Sequence, residues 1–151
     1  MTSDTAIISI LKEQVKSYKL LHDLLKKERV CLVDMDSGRI EEISKGKDTI
    51  IMRLRLLEEE RQRLIRQFAD DNYVDVNINL EELGRLTGNT VFHDLRSQLL
   101  SILQSIEEMN KFNSILIERT IRYIRTNTGF FKSFTGESMV QSSGVLLSKE
   151  T

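Results

Sequence analysis

Apolar residues recur at helical spacing along three long stretches of this chain, and the middle stretch is the most regular. Ile40, Ile43, Lys47, Ile50, Leu54, Leu57, Arg61, Leu64 and Phe68 alternate steps of three and four, the period that keeps one seam facing a partner helix. The first stretch carries Ile7, Ile8, Leu11, Val15, Tyr18, Leu21, Leu25, Leu32 and Met35 on one broad face. The third carries Leu95, Leu99, Ile102, Ile106, Ile117 and Ile124 on another. Between the last two, Val74, Val76, Ile78 and Leu80 alternate at period two. A lone strand there would lack a partner, so an extended connector is expected, leading to a short helix over 80–86 closed by Gly88-Asn89.

The punctuation agrees with the periodicity. No proline occurs in 151 residues, so nothing removes a backbone donor inside a helix. The first helix opens near Thr2, Ser3 or Asp4, all N-cap types, and ends at Asp36-Ser37-Gly38, with Gly38 suited to a left-handed cap. The second follows with Asp36 or Ser37 as cap. Its outer face is charged, and Glu59 and Arg63 stand at i,i+4 in the favourable order. Gly46 within it costs about 1 kcal/mol against alanine. The third long helix is capped by Asn89 or Thr90 and stops near Gly129. The expected fold is therefore all-α: an antiparallel bundle of three long helices with coiled-coil character, spanning 1–128 with helices at about 4–35, 38–69 and 90–128. A short connecting helix joins the second and third, and a flexible tail follows over 129–151. The first helix alone would span roughly 45 Å at 1.5 Å per residue.

Composition narrows the function. The net charge is −1, with 22 basic and 23 acidic residues, so the chain is no electrostatic trap for nucleic acid or an anionic membrane. Six Phe, three Tyr and no Trp provide no base-stacking platform. Cys31 is the only cysteine and lies on an apolar stripe, where it reads as core rather than nucleophile. No stretch is long and apolar enough for a membrane span, and no basic, apolar leader opens the chain, so a cytoplasmic location is expected.

Signs of catalysis are missing. His22 and His93 stand apart with no second ligand at metal spacing. No phosphate loop or nucleophile elbow occurs. The pairs Glu41-Glu42, Glu81-Glu82 and Glu107-Glu108 are adjacent in sequence, so their side chains diverge on a helix. Arg119, Arg122 and Arg125 form a stripe that reads as a solvated face. Neither an enzyme, a cofactor nor a metal is expected.

The third long helix is too apolar for one seam. Met109, Phe112, Leu116 and Tyr123 form a flank beside its core face, and Phe130 and Phe134 continue it. Two readings stay open: the flank widens the core, or it forms a groove for an incoming amphipathic helix. The tail is rich in Ser, Thr and Gly but carries spaced apolar residues, Met139, Val145, Leu146 and Leu147 among them.

The ordered features resemble the FlgN family of flagellar export chaperones. They are Leu20-Leu21 and Leu24-Leu25 followed by Lys27-Glu28-Arg29, then Asp36-Ser37-Gly38-Arg39-Ile40-Glu41-Glu42-Ile43 with Lys47 beyond. Leu57-Glu58-Glu59-Glu60-Arg61 follows, and last come Asn110 and Asn113 before Leu116, Ile117, Tyr123 and Ile124. The resemblance implies a cytosolic chaperone that binds the C-terminal helical segment of the hook-filament junction proteins FlgK and FlgL. It would prevent premature assembly and deliver them to the flagellar type III export apparatus. Client-binding residues would be Met109, Phe112, Leu116, Tyr123 and Phe130. Where family members carry a tyrosine followed by a small or acidic residue and glycine, this chain has Phe134-Thr135-Gly136-Glu137. Export-gate docking would thus fall on Phe134 and Gly136. The alternative is a structural coiled-coil protein without a client, whose flank mediates a homodimer.

Overall fold

The computed structural model describes residues 3–135. It is all-α, with α1 (Ser3–Asp34), α2 (Ser37–Asn72), α3 (Leu80–Thr87) and α4 (Val91–Thr135), and no strand among the described residues. The helix α4 runs through Gly129, where a stop is expected from the sequence, to Thr135 at the limit of the described residues. Glycine in a helix costs only about 1 kcal/mol relative to alanine and still donates its hydrogen bond, so it weakens a helix without ending it.

Two local motifs set the turn between α1 and α2. Met35 takes the left-handed conformation at φ 55°. Its N–H donates to the Leu32 carbonyl at 3.3 Å, and the Asp36 N–H donates to the Cys31 carbonyl at 3.0 Å, the bond pair of a Schellman ending. Asp36 then starts the next helix: its Oδ1 accepts from the Arg39 N–H at 3.2 Å, and its carbonyl accepts from the Ile40 N–H at 3.0 Å. With Asp36 committed as N-cap, the reversal falls on Met35, and Gly38 lies inside the first turn of α2. Met35, expected on the buried face, is exposed.

The end of α2 repeats this device. Tyr73 has φ 54°, and the Val74 N–H donates to the Ala69 carbonyl at 3.0 Å. The period-two stretch that follows is a connector, in which the Asn77 N–H donates to Asp75 Oδ1 at 2.9 Å and Ile78 is buried. Asn79 Oδ1 caps α3 by accepting from the Glu82 N–H at 2.9 Å, and Gly88 ends it at φ 67°. Asn89 Oδ1 accepts from the Val91 N–H at 3.0 Å at the start of α4.

The described residues pack as two units, one within Met1–Asp23 and Lys47–Ile106, the other within Leu24–Gly46 and Glu107–Thr151. In the first unit, Ile7, Leu11 and Val15 of α1 meet Leu64, Ile65 and Phe68 of α2, with Ile78, Leu83, Phe92 and Leu95 completing the core. In the second, Cys31 and Leu32 of α1 pack with Ile40 and Ile43 of α2 and Ile117 and Ile121 of α4. The α2 seam is borne out residue by residue, for Ile40, Ile43, Lys47, Leu54, Leu64 and Phe68 are buried and Ile50, Leu57 and Arg61 half-buried. Gly46 has a packing reason: a Cβ there would meet Leu24 Cδ1 at 3.3 Å, so the missing side chain leaves room for the Leu24 side chain of α1.

Candidate functional site

The flank of α4 lies in the second unit, and its residues divide by exposure. Leu116 packs against the unit's core, and Met109 is half-buried. Phe112 is 41% exposed and Tyr123 60% exposed. Leu116 widens the core, whereas Phe112 and Tyr123 show aromatic surface to solvent. The side chains of Ile124, Phe130 and Phe134, and all of Gly136, lie outside the described residues.

The strip is set by helical spacing. Phe112 and Leu116 are one turn apart, as are Met109 and Phe112, so they share a face beside Asn113 and Ile117. On α1, Arg29 projects to this flank and places its Cζ 4.3 Å from the centroid of the Phe112 ring. The ring's electron-rich face attracts the guanidinium, and such a contact at an exposed site contributes about 0.5 to 1 kcal/mol.

Beneath the flank lies a polar pair that sequence reasoning noted without giving it a role. Asn113 and Glu28 are each 1% exposed. Asn113 Nδ2 donates to the Leu25 carbonyl at 3.0 Å and to Glu28 Oε1 at 2.8 Å, while Asn113 Oδ1 is buried without a hydrogen-bond partner. The signal was positional. Asn113 stands on the stripe of Ile106 and Ile117, and Glu28 on that of Leu21, Leu25 and Leu32, where an apolar residue is the default.

The first unit holds a second polar group, on the α1–α2 seam. Glu58 accepts from Arg61 through both carboxylate oxygens, with Nε at 2.8 Å. It also accepts from Gln14 Nε2 at 2.9 Å and Gln62 Nε2 at 3.3 Å. The Arg61 hydrogen bonds hold the Glu58 carboxyl below its ordinary range against the opposing effect of partial burial. The neighbouring Tyr18 hydroxyl is pushed up, mainly by burial and further by the Glu58 charge. Glu58, Arg61, Gln14 and Gln62 satisfy one another in a hydrogen-bonded network. Arg63 pairs with Glu60 at 2.6 Å rather than with Glu59, the i,i+3 neighbour giving two parallel bonds.

The other chemical candidates are scattered. His22 is half-buried and His93 exposed, and Cys31 is buried in the core of the second unit. Arg119, Arg122 and Arg125 are exposed, with Arg122 3.9 Å from Glu118. Among the described residues no cluster of His, Cys, Asp and Glu could hold a metal ion, and no helix is long and apolar enough to cross a membrane. An open cleft of about 420 Å³ in the first unit, lined by Asp4, Phe68, Asn72, Val74, Leu86 and Thr87, has no convergent set of functional groups.

No curated protein and no solved structure matches the chain. The family model for FlgN protein matches residues 1–140. That is nearly the whole chain, and the protein belongs to the FlgN family of flagellar export chaperones.

Proposed function

We propose that this FlgN-family member holds the C-terminal helical segment of the hook-filament junction proteins FlgK and FlgL in the cytosol. There it prevents their premature assembly and passes them to the flagellar type III export apparatus. The observation that carries the proposal is aromatic exposure on α4: Phe112 and Tyr123 are displayed beside half-buried Met109 and Leu116. An amphipathic helix presents anchors at this same spacing. The proposed contact strip is Met109, Phe112, Leu116 and Tyr123, extended by Phe130, with Phe134 and Gly136 as the docking element for the export gate. The three long helices act in this reading as one antiparallel bundle, which the short α1–α2 turn supports.

The physical logic is competition for an apolar face. A client terminus that forms helices with its neighbours in the assembled filament would associate early if left uncovered. A surface of moderate affinity covers it and still releases it, because part of the binding free energy offsets the ordering of the client. Titration calorimetry with a peptide matching the C-terminal segment of the cognate FlgK tests this. Saturable binding with a negative heat-capacity change is expected. Phe112→Ala combined with Tyr123→Ala should weaken it about tenfold or more while helical content stays unchanged. Undiminished affinity in the folded double variant rules out this strip.

A further inference from the structure

The charges around Phe112 are unbalanced. Within α4, Lys111 pairs with Glu107 at 3.4 Å and Arg122 with Glu118 at 3.9 Å, so these four roughly cancel. Left over on the flank are Lys26 and Arg29, one turn apart on α1, and Arg119, two turns beyond Phe112 on α4, all exposed. Against these three cations stands one carboxylate, Glu108, one turn before Phe112 and also exposed. Val33 continues the stripe of Arg29 as an exposed apolar residue. The strip is therefore aromatic at its centre and cationic at its edges.

From this we infer that Arg29 and Phe112 together read an amphipathic helix whose apolar stripe is flanked by acidic side chains. The inference rests on the client-binding reading above and adds the chemistry of the client. In the unbound protein the guanidinium covers the Phe112 ring, a contact it gives up at small cost because the site is exposed. An arriving carboxylate takes Arg29 in a bidentate pair, and an apolar side chain of the same helix takes the ring. The acid and the anchor must then lie three or four residues apart on the partner. Lys26 and Arg119 extend the same preference along the strip. A second copy of this chain is disfavoured as occupant, because two-fold pairing would set the cationic edges against each other.

The test uses the full chain and the FlgK C-terminal peptide in two forms, native and with the acidic residues beside its apolar stripe changed to glutamine. Arg29→Glu should weaken binding of the native peptide about tenfold, and Arg29→Lys, which keeps the charge but not the planar fork, about threefold. The glutamine peptide should bind weakly and respond to neither change. Raising salt from about 50 to 500 mM should weaken the native peptide far more than the glutamine peptide. Arg29 is exposed, so the variants should keep wild-type helicity. If the unaltered protein binds the native peptide, loses it on Phe112→Ala, and yet is indifferent to Arg29→Glu and to salt, the acidic-flank inference fails and the client reading stands. If the unaltered protein binds neither peptide, or sedimentation shows a dimer abolished by Phe112→Ala, both fail.

Discussion

Replacing Asn113 by leucine removes both donors of the buried pair while keeping the number and branching of side-chain heavy atoms, so its effect reports chiefly on the hydrogen bonds. The bond to Glu28 at 2.8 Å is to an acidic side chain, and bonds to charged groups contribute about 1.5 to 3 kcal/mol. The bond to the Leu25 carbonyl at 3.0 Å is neutral and contributes about 0.5 to 1.5 kcal/mol. Against these stands the unpartnered Asn113 Oδ1, whose removal returns about 1 kcal/mol. The net loss is about 1 to 3 kcal/mol. With a urea dependence of about 2 kcal/mol per molar, the midpoint falls by about 0.5 to 1.5 M. Cys31 gives a local reporter, since it is the only cysteine and is fully buried in the same core. Its reaction with a thiol reagent under native conditions should speed up by about tenfold for each 1.4 kcal/mol lost from that unit. Changing both partners, Asn113→Leu with Glu28→Leu, should recover part of the loss, because the buried Glu28 carboxyl is then not left without its amide donor. An unchanged midpoint and labelling rate in Asn113→Leu, or a double variant no more stable than the single one, would falsify this account of the pair.

Three further predictions follow from the turns and the ion pairs. Met35→Gly should stabilise by up to about 1 kcal/mol, because an exposed side chain at φ 55° gives way to the residue that tolerates this conformation; an unchanged urea midpoint contradicts the Schellman assignment. Gly88→Ala, at φ 67° with open space where the Cβ would sit, should cost about 1 to 2 kcal/mol through backbone strain alone, visible as a lower midpoint at unchanged slope. The Glu58 carboxyl is held below its ordinary range by Arg61, so its stabilisation is complete above the unfolded Glu pKa and is lost as pH falls through the lower folded value. Urea midpoints measured from pH 7 to pH 3 should therefore fall less steeply for Glu58→Gln than for the unaltered chain, and identical profiles would show that the pairing contributes nothing measurable.

The helices were readable because long periodic segments without proline admit few alternatives. The α2 seam placed even Lys47 and Arg61 correctly, since period alone determines which side of a helix turns inward. The short helix and its Gly88 closure were equally visible, as Gly88 has little other use at that position, whereas the Asn79 cap emerged only from the structure. What period does not determine is how a helix ends when two residues compete. Gly38 looked like the reversal, but Asp36 was also a strong N-cap, and the cap placed Gly38 inside α2. Gly129 reads as a stop, although glycine only weakens a helix. Gly46 reads as a defect because its partner Leu24 is distant in sequence, and only the packed unit shows the Leu24 side chain against it.

The same limit explains why the α4 flank stayed divided between core and groove. Phe112 and Leu116 are one turn apart on one face, and nothing in their spacing says which of them a neighbouring helix covers. The structure covers Leu116 with apolar neighbours and sets the Arg29 guanidinium over a Phe112 that is 41% exposed. It also buries Asn113 and Glu28 where an apolar pair would fit. Folding alone favours the reverse arrangement, with the aromatic inside and the amide outside, since polar groups are costly to desolvate and aromatic surface is favourable to bury. Both departures fall within one stretch of α4, from Asn113 to its neighbour Phe112. Sequences that specify one structure violate such local rules mainly where function requires it. A hydrogen-bonded pair below can hold α4 to α1 in one register, while the exposed ring above stays available to a partner. On this argument Asn113→Leu should loosen the position of Phe112 and weaken client binding even in preparations that remain fully helical. Phe112→Ala should weaken binding while leaving the labelling rate of Cys31 unchanged.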